Sequence, residues 1–245
     1  MIHLYLIAFF AAFAMAILLT PLVKRFALWI GAVDRPNHRK VHTVVMPRLG
    51  GLGIFFSFLC AFVIISPALP GVDANVVRGL LLGGAVIVLL GALDDRFELS
   101  PKVKLAGQLL AAGIVTANGL KINVGLIDFP FDAAWLAGIG WIGIPLTIFW
   151  IVGVTNAINL IDGLDGLAGG VSAIATATIL VLALMMGNLT VALLCAILLG
   201  SILGFLVFNF HPAKIFMGDS GALFLGFSLA TLSMLGFKQA TMISF

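Results

Sequence analysis

The segment Thr155-Asn-Ala-Ile-Asn-Leu-Ile-Asp-Gly-Leu-Asp-Gly-Leu167 decides how the chain is organised, because an apolar run ends there in amides and carboxylates. Its polar side chains recur every three residues, and its glycines allow the backbone to leave helical geometry. Three residues turn a helix by about 300°, so these groups spread over roughly half of its circumference. The pattern predicts a helix that breaks near Gly163. The polar members are Asn156, Asn159, Asp162 and Asp165.

The surroundings of this segment give it two interpretations. Carboxylates beside hydrocarbon are costly, and in a membrane chain they mark a functional site by default. The alternative is a polar helix end that lies in the headgroup region and has no chemical role.

Composition restricts the class of protein. Of the 245 residues, 62% are hydrophobic and only 9% are charged, whereas soluble domains carry about 25% charged residues. The basic residues lie in short loops between apolar runs, so they set membrane topology and do not indicate nucleic-acid binding. Cys60 and Cys195 fall inside apolar runs and predict neither a disulfide nor a metal framework.

The apolar runs predict an all-α polytopic membrane protein that forms a single transmembrane domain over residues 1–245. The first run is long enough to span a bilayer and has no preceding basic region, so it is expected to be retained and not cleaved as a signal. The segment 119–135 contains turn formers and predicts a small external β-hairpin near 120–131, or a re-entrant piece. Eight helices are predicted, near 3–23, 49–66, 77–93, 102–118, 139–161, 167–186, 189–208 and 221–237.

The basic residues predict the orientation of these helices. The loop 24–48 carries six of them, which places it in the cytoplasm and the N-terminus outside. Alternating onward puts ten basic residues inside and three outside. The same assignment puts seven of the ten acidic residues inside, so the chemistry is predicted to be cytoplasmic.

Two cytoplasmic loops could bind phosphate or metal. The first contains Pro47-Arg-Leu-Gly-Gly51, in which cationic donors and accessible backbone N–H groups could surround a phosphate. A plain topological anchor is the alternative. The second contains Asp219 where a helix is expected to begin, so this residue is either an N-cap or a metal ligand beside exposed N–H groups. Hard oxygen donors favour Mg²⁺ or Mn²⁺ over zinc.

The pair Asp94-Asp95 lies where the third predicted helix meets the cytoplasm. Adjacent carboxylates repel each other, which suits a magnesium site or a proton acceptor for a phosphate. A structural role is equally open, because Asp95 could pair with Arg96 or cap a turn. Magnesium bridging the phosphates of a nucleotide substrate would explain why three acidic elements meet at one membrane face.

Five motifs follow one another along the chain: Arg39-Lys-Val-His42, Pro47-Arg-Leu-Gly-Gly51, Gly91-Ala-Leu-Asp-Asp95, Asn156 to Gly166, and Phe216-Met-Gly-Asp-Ser-Gly221. In this order they resemble the motifs of the polyprenyl-phosphate N-acetylhexosamine-1-phosphate transferases. Within that superfamily the loops are more similar to those of the bacterial enzymes that start teichoic acid, enterobacterial common antigen or O-antigen synthesis than to those of the MurNAc-pentapeptide enzyme.

The resemblance implies transfer of a sugar 1-phosphate, expected to be GlcNAc-1-phosphate, from a UDP-sugar to undecaprenyl phosphate with release of UMP. It implies a site on the cytoplasmic face of the bacterial cytoplasmic membrane and Mg²⁺, or Mn²⁺, as cofactor. Besides the lipid bilayer and these two substrates no nucleic-acid partner is expected, and a homodimer is compatible with the sequence.

The same resemblance implies residue roles. Asp219 matches the metal-binding aspartate, and the matched catalytic carboxylates are Asp94, Asp95, Asp162 and Asp165. The matched substrate-binding positions are Arg39, Lys40, His42, Arg48, Gly50, Gly51, Lys104, Asn156 and Asn159. Family members generally have more spans and a His-rich loop after the ninth, so an incomplete chain is expected.

Three rival functions follow from the same residues. An ion-coupled transporter would place its acids near the bilayer midplane, whereas here they cluster at one interface. An intramembrane prenyltransferase needs a second aspartate-rich motif that this sequence lacks. A CDP-alcohol phosphotransferase needs charged residues in 167–186, which has none. Within the resembled superfamily, a MurNAc-pentapeptide phosphotransferase is the alternative.

Overall fold

The computed structural model describes residues 2–36, 44–68, 74–122 and 140–243. These ranges form a bundle of eight α-helices with one antiparallel two-stranded sheet, in which Val33 pairs with Pro47. Short 3₁₀ turns occupy Ser66–Ala68 and Gly140–Ile142. The elements are α1 (Ile2–Ile30), β1 (Val33–Asp34), β2 (Met46–Pro47), α2 (Gly50–Ile65), α3 (Ala74–Phe97), α4 (Pro101–Ala117), α5 (Gly143–Ile161), α6 (Leu167–Met185), α7 (Leu189–Asn209) and α8 (Gly218–Ile243).

The predicted helical class is confirmed, and the chain is a multi-pass membrane protein. Six of the described helices are long and apolar enough to cross a bilayer, while α2 is apolar but shorter. The predicted break near Gly163 is also confirmed, because α5 ends at Ile161 and α6 begins at Leu167. The hairpin predicted near 120–131 falls mostly on residues 123–139, which lie outside the described residues. The orientation in the membrane stays a prediction.

Helix α3 is longer than predicted, and this extension places the paired aspartates. It continues from 93 to Phe97 because no breaker intervenes, and it ends where Glu98 takes a left-handed φ of 52°. Pro101 then starts α4, where its fixed φ favours the first turn of a helix. Successive helical residues point about 100° apart, so Asp94 and Asp95 face different neighbours.

Helix α1 also runs past its predicted end at residue 23. It stops at Gly31, which has a φ of 71°, and Ala32 N donates to Ala27 O at 2.9 Å in a glycine-type C-cap. The Nε of Arg96 donates to the carbonyl of Ile30 at 2.7 Å. The last turn of α3 is therefore attached to the end of α1.

The most deeply buried helices are α7 and α8, and the others pack around them. Helix α1 lies directly against α7, where a Cβ on Gly204 would come within 2.5 Å of the Phe13 carbonyl and one on Gly200 would collide with the Phe9 carbonyl. Two glycines four residues apart therefore allow the backbones of α1 and α7 to approach closely at this interface.

Replacing Gly200 by alanine should destabilise the bundle, because the added methyl group has no space against α1. We expect Gly200→Ala to lower the free energy of unfolding by about 1–3 kcal/mol, as overpacking usually does. Gly153→Ala in α5 is the matched control, since its Cβ would meet nothing within 4 Å. Thermal unfolding in detergent checks this, and equal midpoints for both variants would contradict it.

Candidate active site

The N-terminus of α8 is capped by a carboxylate from another helix. Asp95 Oδ1 accepts the N–H of Asp219 at 2.8 Å, and its Oδ2 accepts the N–H of Ser220 at 3.1 Å. These are N–H groups of the first helical turn, which have no partner inside the helix. The Asp95 side chain is fully buried, and Arg48 lies 3.7 Å from its Oδ1. A negative charge at this helix end also interacts favourably with the helix dipole.

Gly218 makes this cap possible. Its φ is 72°, a left-handed value that favours glycine. A Cβ at this position would lie 2.5 Å from Asp95 Oδ2. The glycine of the Met-Gly-Asp-Ser motif is therefore required both by its backbone conformation and by the carboxylate beside it.

Three helices meet at Lys104, where its ammonium group joins two carboxylates. The Nζ lies 2.9 Å from Asp94 Oδ2 and 2.7 Å from Asp219 Oδ2. Asn159 of α5 donates to the other oxygen of Asp219 at 3.1 Å, and Asp94 Oδ1 accepts the N–H of Leu99 at 2.7 Å. The structure thus brings together the paired aspartates, the segment around Asn159 and the loop before α8.

These contacts exclude one of the two sequence interpretations of Asp219. Both of its side-chain oxygens face Lys104 and Asn159, and the helix it belongs to is capped by Asp95. Asp219 is therefore not the N-cap, and its carboxylate faces the cluster.

Asp162 lies just after α5, at the edge of this cluster. Burial, together with the nearby Asp219 charge, raises the pKa of its carboxyl to about 7, although Arg48 opposes the rise. Leu160 and Leu164, on either side of it in the chain, are 84% and 67% exposed. A carboxyl group that changes charge near neutral pH is therefore next to side chains suited to hydrocarbon.

Asp165 contacts the loop that precedes α8. Its Oδ2 accepts the N–H of Ala213 at 3.0 Å and lies 3.1 Å from Nδ1 of the exposed His211. Close by, Asn209 accepts the N–H of Gly166 at 3.1 Å and donates to the Ile215 carbonyl at 3.0 Å. These four bonds attach the segment after α5 to the loop 210–217.

Asn156, predicted to bind substrate, is paired with a residue of α4. Its Nδ2 donates to Gln108 Oε1 at 2.6 Å, and Gln108 Nε2 donates back to Asn156 Oδ1 at 3.2 Å. Gln108 is 3% exposed. This reciprocal amide pair links α4 to α5 beneath the cluster.

The sequence rationale for Gly50 and Gly51 needs correction. Their N–H groups were expected to approach a phosphate, but they donate to the carbonyls of Phe216 at 3.0 Å and Met217 at 2.9 Å. A Cβ on Gly50 would lie 2.5 Å from the Phe205 ring, and one on Gly51 would collide with the backbone of Gly221. The glycine pair therefore packs α2 against the start of α8. Arg39, Lys40 and His42 lie outside the described residues.

Some residues of this region were not found from the sequence. Gln108, Asn209 and His211 each bond to the predicted motif, yet each stands alone in an apolar or loop segment. A buried amide in a membrane helix is itself a signal, because it needs a partner there, and Gln108 could have been selected on that ground.

The oxygen atoms of this cluster can be compared with the ligands that a divalent cation prefers. Among the described residues, no three acidic, histidine or cysteine side chains form a ready-made metal cluster. Asp219, Asp94 and Asp162 nevertheless provide hard oxygen donors, and Mg²⁺ commonly takes only one or two carboxylates and completes its shell with water and substrate phosphates. The donor set therefore fits Mg²⁺ bound together with a phosphorylated substrate.

Fold and site together define a polytopic membrane protein with carboxylates, amides and cationic side chains gathered at one end of the bundle. The chain belongs to glycosyl transferase family 4, whose family model matches residues 77–237.

The chain is similar to several curated proteins. It is 46% identical to a Bacillus subtilis protein named probable undecaprenyl-phosphate N-acetylglucosaminyl 1-phosphate transferase, over 97% of this chain and 65% of that protein. It is 37% identical to the decaprenyl-phosphate N-acetylglucosaminephosphotransferase of Mycobacterium leprae, over 87% of this chain and 56% of the relative. The phospho-N-acetylmuramoyl-pentapeptide-transferase of Geobacillus kaustophilus is 36% identical, over 94% of this chain and 74% of that relative. The chain thus spans less than two thirds of the first two relatives.

Removing the Asp95 charge should destabilise the protein, because an amide at this position leaves one of the two capping N–H groups facing an NH₂ group and leaves Arg48 without its charged partner. We expect Asp95→Asn to lower the free energy of unfolding by about 2–4 kcal/mol, as loss of one member of a buried charged network does. Glu98→Gln makes the same charge change on an exposed residue and should shift stability by less than about 0.5 kcal/mol. Thermal unfolding measures both variants. Equal stability would show that the cap does not hold α8.

Proposed function

We propose that this chain transfers a sugar 1-phosphate, GlcNAc-1-phosphate, from a UDP-sugar to undecaprenyl phosphate and releases UMP. The observation that carries the proposal is the cluster of Lys104, Asp94 and Asp219 beside exposed apolar side chains at the end of a membrane bundle. Such a place suits an acceptor whose phosphate lies at headgroup level and whose tail lies in hydrocarbon. The names of the Bacillus and Mycobacterium relatives support the same reaction.

In this reaction an oxygen of the acceptor phosphate attacks the sugar-bearing phosphorus of the UDP-sugar. The new bond joins the two phosphates of the lipid product, and the bond to the UMP oxygen breaks, so that UMP leaves with the electron pair. Phosphoryl transfer asks the protein mainly for positioning and charge neutralisation. Lys104 and Arg48, each about one quarter exposed at the side chain, are proposed to neutralise phosphate oxygens.

The carboxylates are proposed to have separate roles. Asp219, with Asp94 or Asp162, would hold Mg²⁺, or Mn²⁺, which when bound neutralises the charge of the diphosphate. Asp94 orients Lys104, while Asp95 fixes the backbone that carries Asp219. Asp165 positions the loop 210–217, and Asn159 orients Asp219.

The sugar and the cellular location are part of the proposal. Identity is higher to the GlcNAc-named Bacillus relative, at 46%, than to the MurNAc-pentapeptide relative, at 36%, which favours GlcNAc. Bacterial relatives and the distribution of basic residues support the cytoplasmic membrane with the site on its cytoplasmic face. The product would start a cell-envelope polysaccharide such as a teichoic acid or an O-antigen.

Release of UMP from UDP-GlcNAc in the presence of undecaprenyl phosphate and Mg²⁺ tests the reaction, with UDP-MurNAc-pentapeptide as the competing donor. Asp219→Asn should reduce turnover by about 100-fold or more, because the cation that neutralises the reacting phosphates would lose a negatively charged ligand. Glu98→Gln should retain near wild-type turnover. Preference for the MurNAc donor, or full activity of Asp219→Asn, would refute the proposal as stated.

Topology is tested by labelling single cysteines in a background lacking Cys60 and Cys195. Glu98→Cys and Lys214→Cys are both exposed positions near the cluster, and Asn75→Cys lies at the opposite end of α3. A membrane-impermeant maleimide should label Asn75→Cys in intact cells, and the other two only after the membrane is opened. Labelling of Glu98→Cys and Lys214→Cys from opposite sides would contradict both the orientation and the site.

A further inference from the structure

We propose that the Lys104 ammonium group is a built-in counter-ion that competes with the divalent cation for the oxygens of Asp94 and Asp219. In the absence of the cation it holds the two carboxylates together, and the cation displaces it toward the substrate phosphates. This inference rests on the proposed function only in that a divalent cation binds Asp219.

The positions of the two carboxylates create the need for a counter-ion. Asp94 lies in the last turn of α3 and Asp219 in the first turn of α8, and Lys104 Nζ lies within 2.9 Å of an oxygen of each. Two ionised carboxylates on one positive group would repel each other if that group left. Lys104, which comes from a third helix, is thus placed to neutralise both when no metal is present.

The other oxygens of these carboxylates already have partners. Asp94 Oδ1 accepts the N–H of Leu99, and Asp219 Oδ1 accepts from Asn159. The remaining oxygen of each residue is the one that faces Lys104. A cation that binds Asp219 together with Asp94 therefore needs oxygens that the ammonium group holds, and the two positive charges exclude each other.

Lysine has the properties that such an exchange requires. Its ammonium group is a compact charge on a flexible four-carbon stem, and the Lys104 side chain is 26% exposed, so it has solvent to move into. Arg48 cannot replace it, because it lies beside Asp95. The displaced ammonium group keeps its charge, so arrival of the cation would make a phosphate-binding group available.

The test measures Mn²⁺ binding to the whole chain in detergent by electron paramagnetic resonance, without any substrate. Lys104→Met should bind Mn²⁺ about tenfold more tightly than the wild type, within the range typical of coupling between two bound groups. Its melting temperature without metal should fall and should rise more on Mn²⁺ addition than that of the wild type.

Two variants separate local competition from net charge. Lys102→Met removes the same charge from an exposed position on α4 and should leave Mn²⁺ affinity within about threefold of the wild type, because an exposed charge is screened. Lys104→Arg retains a competing positive charge and should bind Mn²⁺ about as weakly as the wild type does. Mn²⁺ affinity in Lys104→Met equal to or below that of the wild type would overturn the proposal.

A measurement on the wild type covers the case in which Lys104→Met does not fold. Acetylation of Lys104 by an amine-reactive ester, followed by mass spectrometry, should increase several-fold when Mn²⁺ is added, with Lys102 as the internal reference. Unchanged or reduced acetylation, or no saturable Mn²⁺ binding, would overturn the exchange. UMP release measured in parallel separates the outcomes: turnover without the exchange refutes this inference alone, and the exchange without turnover refutes the proposed function alone.

Discussion

The bonds from Asp95 to the first N–H groups of α8 are the interaction on which the site depends. They join the end of α3 to the beginning of the most central helix, and they fix the backbone of Asp219. Since the Asp95 side chain is fully buried, its charge is compensated by the helix end and by Arg48 and not by water. A buried carboxylate without compensating charge would destabilise the fold. Asp95, Arg48 and Gly218 therefore act together at the start of α8.

Around the start of α8, hydrogen bonds and ion pairs between side chains determine how the helices contact each other. Helices in lipid gain little from burying apolar surface against each other, and polar side chains and small residues decide their contacts. Lys104 joins α3, α4 and α8, Gln108 and Asn156 join α4 and α5, and Asn209 joins the end of α7 to the start of α6. The cluster around Lys104 is therefore also the place where the helix ends are held in register.

The site lies where polar and apolar surfaces meet. Asp162 has a raised pKa because it is partly withdrawn from water beside Asp219, while Leu160 and Leu164 next to it are exposed. A charged group and a hydrocarbon-facing surface within one turn of chain suit an amphipathic substrate.

The sequence by itself determined where the eight described helices lie, the break after α5, and Asp94, Lys104 and Asp219 as candidate site residues, because apolar length, glycine and unpaired polarity are local properties. It left the direction of each carboxylate open. Only the tertiary structure decided that Asp94 faces Lys104 while Asp95 caps α8, since extending α3 by one turn sends adjacent side chains about 100° apart. It likewise decided that Gly50 and Gly51 serve close packing, because the same glycine pair suits a phosphate loop or a backbone contact, and only the neighbouring chain distinguishes them.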